Sequence, residues 1–213
     1  HVSCLAEEAK ILYKEAEENN LGDKVLTERF ERWRTCGLCE QHYHGVVLCA
    51  LGWACWKTYL GRPETDHARQ SAMNLLAGGL YATNNYEDAL SVMEAQLPMM
   101  RRLGDSAHNI LALQSNLANT YQGLRRLEQA MLLKGKVYSG YSKLYGEQHE
   151  HTLVAADNYA MALLELRRFE EAKRLLRKVA PVAQRVLGEG NDLTLRLRTI
   201  YAAALYQDPG ATL

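Results

Sequence analysis

Four side chains that can bind metal lie close together near the start of the chain: Cys36, Cys39, His42 and His44. Zinc is held by four Cys or His ligands, and a Cys-x-x-Cys pair can chelate the ion from a turn. Zinc sites usually bring their second ligand pair from a distant segment, however, whereas these four residues span nine positions. We therefore expect no cofactor and interpret the cysteines as small apolar residues at helix contacts, with structural zinc as the alternative.

The remaining chemistry-bearing residues form no pattern typical of a catalytic site. The sequence has no Gly-rich phosphate loop, no nucleophile elbow and no His-Glu-x-x-His. Thioredoxin-like chemistry at Cys36 and Cys39 is disfavoured, because no predicted strand precedes them. His149 and His151 fit the capping of a linker better than a metal site. We predict that the protein is not an enzyme.

Charge and cysteine content exclude several classes of partner. Lys plus Arg equal Asp plus Glu at 25 each, so no net field favours nucleic acid or an anionic membrane. The longest uncharged stretch, residues 41–56, is shorter than the roughly 20 apolar residues that span a bilayer, so we expect no transmembrane segment. Five cysteines make an odd number that argues against a disulfide framework. We expect a cytoplasmic location, or an organelle interior after removal of a presequence.

A fixed spacing runs through the rest of the chain. Three asparagines stand 42 residues apart, three glycines repeat that interval, and three alanines follow nearly in step. These residues are Asn74, Asn116 and Asn158; Gly104, Gly146 and Gly188; and Ala89, Ala130 and Ala172. Such self-similarity is typical of stacked supersecondary units. Apolar residues at helical spacing, with a basic last turn before each glycine, predict two helices per unit.

The spacing also predicts how the chain is organised. Asn74 to Ala89 is 15 residues, against 14 in the other units, so we expect a lengthened turn near residues 83–85. Residues 192–206 give one more first helix without a partner, which is typical of a terminal cap. The predicted organisation is divergent N-terminal helical repeats with a Cys/Trp-rich helix pair (1–60), three repeats plus the capping helix (61–206) and a tail (207–213).

Three segments of each unit carry a family resemblance. In the second unit they are Asn116-Leu117-Ala118, Leu127-Glu128-Gln129-Ala130 and the linker at residues 144–153. They resemble tetratricopeptide repeats of the 42-residue kinesin light chain-like kind, although the proline of that family's His-Pro-x-Thr-Leu linker is absent. The resemblance covers residues 61–206 well and residues 5–60 loosely. It implies an all-α fold, a right-handed α-solenoid of antiparallel helix pairs.

The resemblance further implies a concave groove lined by the first helices, in which the asparagines hydrogen-bond a peptide backbone. An amide both donates and accepts, so it suits that role; the alternative is that the amides tie adjacent repeats together. A chaperone-cofactor function is disfavoured, because the neighbouring places lack the Lys or Arg that an acidic peptide terminus requires. The predicted groove residues are Met73, Asn74, Ser115, Asn116, Asn119, Asp157, Asn158, Met161 and Arg196.

An unusually apolar helix provides a second candidate surface. Trp53, Trp56 and Tyr59 follow helical spacing, which is more typical of core, but one face of this helix could dock a partner. We predict a protein-protein interaction scaffold or adaptor that binds a peptide or partner protein in the groove. The first alternative is a structural or linker subunit of a large multiprotein assembly, docked through the Cys/Trp helices. The second is a zinc-stabilised scaffold.

Overall fold

The computed structural model describes residues 1–208, and within them the chain forms ten α-helices and one short 3-10 helix. Thr35 and His42 form an isolated antiparallel bridge ahead of the third helix. The helices are α1 (Val2–Glu18), α2 (Asp23–Phe30), α3 (Gly45–Tyr59), α4 (His67–Ala82), α5 (Tyr86–Arg102), α6 (Ala107–Gly123), α7 (Leu127–Tyr145), α8 (Glu150–Glu165), α9 (Phe169–Leu187) and α10 (Asp192–Tyr206), with the 3-10 helix at Glu31–Trp33. The all-α prediction is confirmed.

The chain divides into two compact units, which we call the N-unit (residues 1–103) and the C-unit (from residue 104). The boundary predicted between residues 60 and 61 lies inside the N-unit, because α3 packs closely on α4. Of the predicted tail, residues 209–213 lie outside the described residues. None of the helices within residues 1–208 combines the length and apolar character that a bilayer crossing requires.

An aromatic core joins α1 to the helices that follow it in the N-unit. The Tyr13 ring meets the rings of Phe30 and Tyr59 edge-on, with centroids 5.7 and 5.5 Å away. The Arg62 guanidinium lies 4.8 Å from the Tyr59 ring centroid and donates to the Glu17 carboxylate at 2.6 and 2.7 Å. The divergent N-terminal helices are therefore joined to α3 and to the linker that follows it by edge-to-face ring contacts, a cation–π contact and a bidentate ion pair.

In the C-unit, α10 covers the apolar surface left by the last complete helix pair. Leu163 of α8, Leu176 of α9 and Leu197 of α10 are all fully buried in one cluster. At the far end of this helix, the Asp208 carboxylate accepts from the buried Lys173 ammonium at 2.5 Å. Within residues 1–208, α10 covers this core and no further helix follows it; its role as a terminal cap stays a prediction.

The turns within the three repeats share one backbone conformation, which corrects the predicted register. Asn84, Arg125 and Arg167 occupy the same place after α4, α6 and α8, with φ of 59°, 60° and 58°. The predicted lengthened turn at residues 83–85 is therefore wrong. Counted from these turns, Leu75 rather than Asn74 corresponds to Asn116.

The spacing of 42 residues between Asn74 and Asn116 results from two differences between the repeats that offset each other. Asn84 precedes Arg125 by 41 residues, whereas Arg125 precedes Arg167 by 42. The helix α5 has 17 residues where α7 has 19, and α6 has 17 where α8 has 16, so the net difference between the two intervals is one residue. Asn74 sits one residue earlier in its helix than the other asparagines, and this displacement restores the apparent period.

Candidate functional site

A cleft of about 190 Å³ opens between α6, α7 and α8 of the C-unit. It brings together three predicted groove residues, Ser115, Asn116 and Asn158. The rings of Tyr141 and His151 form an aromatic wall, stacked with centroids 5.6 Å apart. The lining is Ala112, Ser115, Asn116, Tyr141, His151, Val154, Ala155 and Asn158.

The two asparagines are held in place by their buried neighbours along each helix. Asn116 is exposed, while Leu117 and Ala118 beside it are buried. Asn158 is half-buried, between buried Asp157 and the core of α8. Within residues 1–208, neither side-chain amide hydrogen-bonds another residue, so both keep their donors and acceptors available.

A cluster of three histidines and two tyrosines extends from the wall of the cleft, and we call it the His–Tyr cluster. The Tyr145 ring stacks on His149 at 4.4 Å, and its hydroxyl lies 3.1 Å from His108 Nδ1. The rings of His108 and His151 are 5.0 Å apart. His149 caps α8 by accepting from the backbone N–H of His151 at 3.2 Å, which is the linker-capping role predicted for these histidines.

The tyrosines of this cluster were not among the predicted site residues. Tyr141 and Tyr145 are four residues apart on α7, so their rings lie on one helix face and stack with centroids 6.1 Å apart. That spacing, read beside the histidines of the following linker, was a signal available in the sequence.

Asp157, predicted to line the groove, is instead fully buried. Its Oδ2 accepts from the guanidinium of Arg196, whose side chain is 61% exposed, and its Oδ1 has no hydrogen-bond partner within the described residues. Burial raises the pKa of the Asp157 carboxyl, while the charges of Arg196 and Lys134 act in the opposite direction. Arg196 is therefore the member of this pair that a partner can reach.

Lys134 is a second buried charge in the same region that sequence reasoning missed. It projects from α7 and donates to Gln122 Oε1, and Gln122 in turn donates to the Glu165 carboxylate at 2.7 Å. Burial lowers the pKa of the Lys134 ammonium, opposed by the charges of Glu165 and Asp157. A chain of hydrogen bonds thus runs from buried Lys134 through half-buried Gln122 to exposed Glu165.

A larger cavity of about 650 Å³ lies between α8 and α10, and two further predicted groove residues, Met161 and Arg196, line it. The other lining residues are Asp192, Leu195, Thr199 and Ile200. Asn119 is half-buried on α6 and lines neither of the two cavities described here. Five of the predicted groove residues of the C-unit are therefore divided between two cavities, and Asn119 and Asp157 line neither of them.

The predicted groove residues Met73 and Asn74 belong to the N-unit. Met73 is half-buried and Asn74 is exposed. Asn74 Oδ1 accepts a hydrogen bond of 2.8 Å from the side chain of buried Gln96 in α5. The side-chain oxygen of Asn74 is thus hydrogen-bonded within its own helix pair, unlike the amides of Asn116 and Asn158.

The docking surface predicted on α3 is partly wrong. Tyr59 is only 3% exposed, because it belongs to the aromatic core, and Trp56 is half-buried. Trp53 is 43% exposed and lies seven residues from Val46 and from Leu60, which are both exposed. Val46, Trp53 and Leu60 therefore form the outward stripe of α3, and their seven-residue spacing was visible in the sequence.

The four residues of the alternative zinc site, Cys36, Cys39, His42 and His44, lie in one turn and just after it. Cys36 and Cys39 share one turn, but the His42 ring lies 3.2 Å from the Thr35 hydroxyl. Across residues 1–208, no three His, Cys, Asp or Glu side chains are arranged to hold a metal ion. The turn offers two thiols rather than a four-ligand set.

Comparison with known proteins places this arrangement in a class. Residues 110–151 and 152–192 match the sequence model of the tetratricopeptide repeat. Two crystal structures of nearly identical kinesin light chain TPR-like repeats from Podosopora anserina align with 99% of the chain and with 88% and 89% of their own. Their TM-scores are 0.64, with 21% and 22% identity. BtubC (BKLC) from P. vanneervenii aligns over 97% of the chain and 73% of its own, with TM-score 0.54 and 15% identity.

No curated protein sequence matches the chain. The predicted resemblance is confirmed: residues 110–192 match the tetratricopeptide repeat model, and the chain has the fold of kinesin light chain-like repeat proteins. Tetratricopeptide repeats generally mediate protein–protein interactions and form non-catalytic scaffolds.

Proposed function

We propose that the protein is an interaction scaffold or adaptor whose C-unit binds an extended segment of a partner protein in the cleft between α6 and α8. The observation that carries the proposal is the position of Asn116 and Asn158. They stand on successive first helices at one cleft, and their side-chain amides are unpaired within the described residues.

The chemistry of the two amides suits a peptide backbone. Each amide can accept from a backbone N–H and donate to a backbone C=O without demanding a particular side chain. The apolar and aromatic wall formed by Tyr141, Val154 and Ala155 then supplies a contact for one partner side chain. Affinity would come from the backbone, and selectivity from the side chain that enters the cleft.

The size of the cleft favours a peptide over a free small molecule. At about 190 Å³ it is below the ~300–1,000 Å³ typical of small-molecule pockets. A volume of this size accommodates a single side chain of a longer ligand. We infer binding rather than catalysis, and a location in the cytoplasm or an organelle interior, where the free cysteines stay reduced.

A second candidate function rests on the outward stripe of α3. Val46, Trp53 and Leu60 expose apolar surface along one helix face, which suits a subunit that docks permanently into a larger assembly. In that case substitution of Trp53 would disrupt assembly, while substitution of the asparagines would not.

The test is capture of peptides from a display library by the full chain, followed by measurement of Kd for the best binder. Asn116→Ala combined with Asn158→Ala removes hydrogen bonds that contribute about 0.5–1.5 kcal/mol each, so we expect Kd to rise about 5- to 150-fold. Gln129→Ala, at an exposed position of α7 outside the cleft, is the matched control. Unchanged Kd in the double variant, with helicity intact, would refute the groove function.

A further inference from the structure

The turn between the 3-10 helix and α3 holds two thiols in a closed backbone loop. Cys36 N–H donates to the Gln41 carbonyl at 2.9 Å, and Tyr43 N–H donates to the Arg34 carbonyl at 2.8 Å. These bonds, with the bridge between Thr35 and His42, close the loop at its base. The loop therefore has a defined shape rather than that of a flexible connection.

Inside the loop, the backbone makes one helical turn that places the cysteines side by side. The Cys36 carbonyl accepts from Glu40 N–H at 3.0 Å, which is the bonding pattern of an α-turn. Helix radius and rise then set the Cα atoms of Cys36 and Cys39 about 5 Å apart. Disulfides need Cα separations of about 4.4–6.8 Å, so this pair meets the requirement without moving the backbone far.

We propose that Cys36 and Cys39 form a redox-responsive thiol pair that a hydroperoxide converts reversibly into a disulfide within the turn. The pair lies on the N-unit, and the proposal is independent of the binding function proposed for the C-unit.

The surroundings of Cys36 make it the attacking thiol. Cys36 stands at the start of the α-turn, because its carbonyl accepts from Glu40 N–H. The backbone N–H groups of Cys39 and Leu38, together with the Cys39 thiol, favour the Cys36 thiolate and so lower the pKa of the Cys36 thiol. Leu38 is 98% exposed and Cys39 is exposed, so an oxidant in solution can reach the turn. A thiolate that is accessible and hydrogen-bonded is the reactive form of cysteine.

The reaction balances with a hydroperoxide as the oxidant. The Cys36 thiolate attacks the terminal peroxide oxygen, the O–O bond breaks, and the alkoxide takes a proton to leave as an alcohol, or as water from hydrogen peroxide. The Cys36 sulfenic acid is then attacked by the Cys39 thiolate, the S–S bond forms, and water leaves. Two thiols and one hydroperoxide give one disulfide, one alcohol and one water. A small dithiol reverses the reaction by exchange.

The other cysteines provide internal comparisons. Cys4 is exposed on α1, whereas Cys55 is fully buried, and burial raises the pKa of its thiol. Neither has a second cysteine within four residues along the chain. A difference in reactivity between Cys36 and Cys4 would thus report the turn rather than exposure alone.

The experiment uses the full chain treated with one equivalent of hydrogen peroxide. Free thiols are then alkylated, and the protein is digested and analysed by mass spectrometry. We expect loss of two hydrogens confined to the peptide with Cys36 and Cys39, restored by dithiothreitol. At neutral pH, iodoacetamide should modify Cys36 about tenfold faster than Cys4. In Cys39→Ser the reaction should stop at a sulfenic acid that dimedone traps.

Three results would overturn the proposal. The first is equal alkylation rates for Cys36 and Cys4, and the second is absence of the disulfide after oxidation. The third is about one zinc per chain as purified, lost in Cys39→Ser, because the two thiols would then be metal ligands. Cys36→Ser, which removes the attacking thiol, should abolish both the disulfide and the dimedone adduct.

Discussion

Two adjacent glycines of α4, Gly78 and Gly79, should respond in opposite ways to the same substitution. Gly79 faces α3, and a Cβ built on it would lie 2.7 Å from Cys49 Cα and 3.0 Å from the Leu48 carbonyl oxygen. Gly78 is exposed, and a Cβ there would meet no atom within 4 Å. We expect Gly79→Ala to destabilise the N-unit and Gly78→Ala to stabilise it.

The magnitudes follow from helix propensity and sterics. Alanine in a helix interior is favoured over glycine by about 0.8–1.0 kcal/mol, and both sites receive this gain. At Gly79 the contact is with backbone, which cannot rotate away, so the overpacking costs about 1–3 kcal/mol. The two variants should therefore differ in unfolding free energy by about 1–3 kcal/mol. For a chain of this size that corresponds to roughly 2–12 °C in Tm.

Calorimetry of the full chain and of both variants measures the difference. Gly78→Ala is the matched control for Gly79→Ala, since the two variants share the gain in helix propensity, the expression conditions and the buffer. Equal melting temperatures for Gly78→Ala and Gly79→Ala would mean that α3 and α4 do not approach as closely as described. The assignment of α3 and α4 to one compact unit would then lose its main support.

Two further predictions concern the C-unit. Burial raises the pKa of Asp157, so its carboxyl keeps its proton to a higher pH in the folded state than in the unfolded chain. This difference stabilises the fold fully below the ordinary aspartate pKa of about 4. The stabilisation is lost as pH rises through the pKa of the folded state. Asp157→Asn should remove this component from urea denaturation measured across that window, and an unchanged pH dependence would contradict it. His149→Ala should lower the unfolding free energy by about 1 kcal/mol through loss of the α8 cap, as followed by denaturation. His149→Ser should restore most of it, and equal losses in both variants would show that the ring contacts, not the cap, carry the effect.

The helices were predictable because their signals are local. Apolar spacing, cap residues and the stop at Gly188 depend only on neighbours in sequence, and they predicted both the helix pairs and the further helix α10. The two asparagines of the cleft were also predictable as candidate binding residues, since Asn116 and Asn158 belong to a repeated motif. Their convergence on one cleft with Tyr141 needed the packing of α6, α7 and α8.

Two features were not predictable from spacing alone: the register of the first repeat, where two changes cancel, and the face of α3 that is exposed. A repeat interval that is one residue shorter and a displaced asparagine together preserved the spacing of 42, so counting alone could not reveal that Leu75 takes the place of Asn116. Tyr59 was named with Trp53 as a candidate for docking, although their helical spacing is more typical of core, and the Tyr59 ring does lie in the aromatic core. Spacing identifies a helix, but only the neighbouring helices decide which of its faces is covered.

The buried charge of Lys134 is a property of one repeat rather than of the fold. Four residues after each repeat alanine stand Met93, Lys134 and Leu176, and all three are buried. The fold therefore accepts an apolar residue at this place, and burying an ion there costs several kcal/mol before its partners compensate. Lys134 lies in the repeat whose first helix carries Asn116, and the opposing Asp157 is the neighbour of Asn158. Lys134 and Asp157 thus belong to the same two repeats as the asparagines of the proposed cleft, although neither lines it.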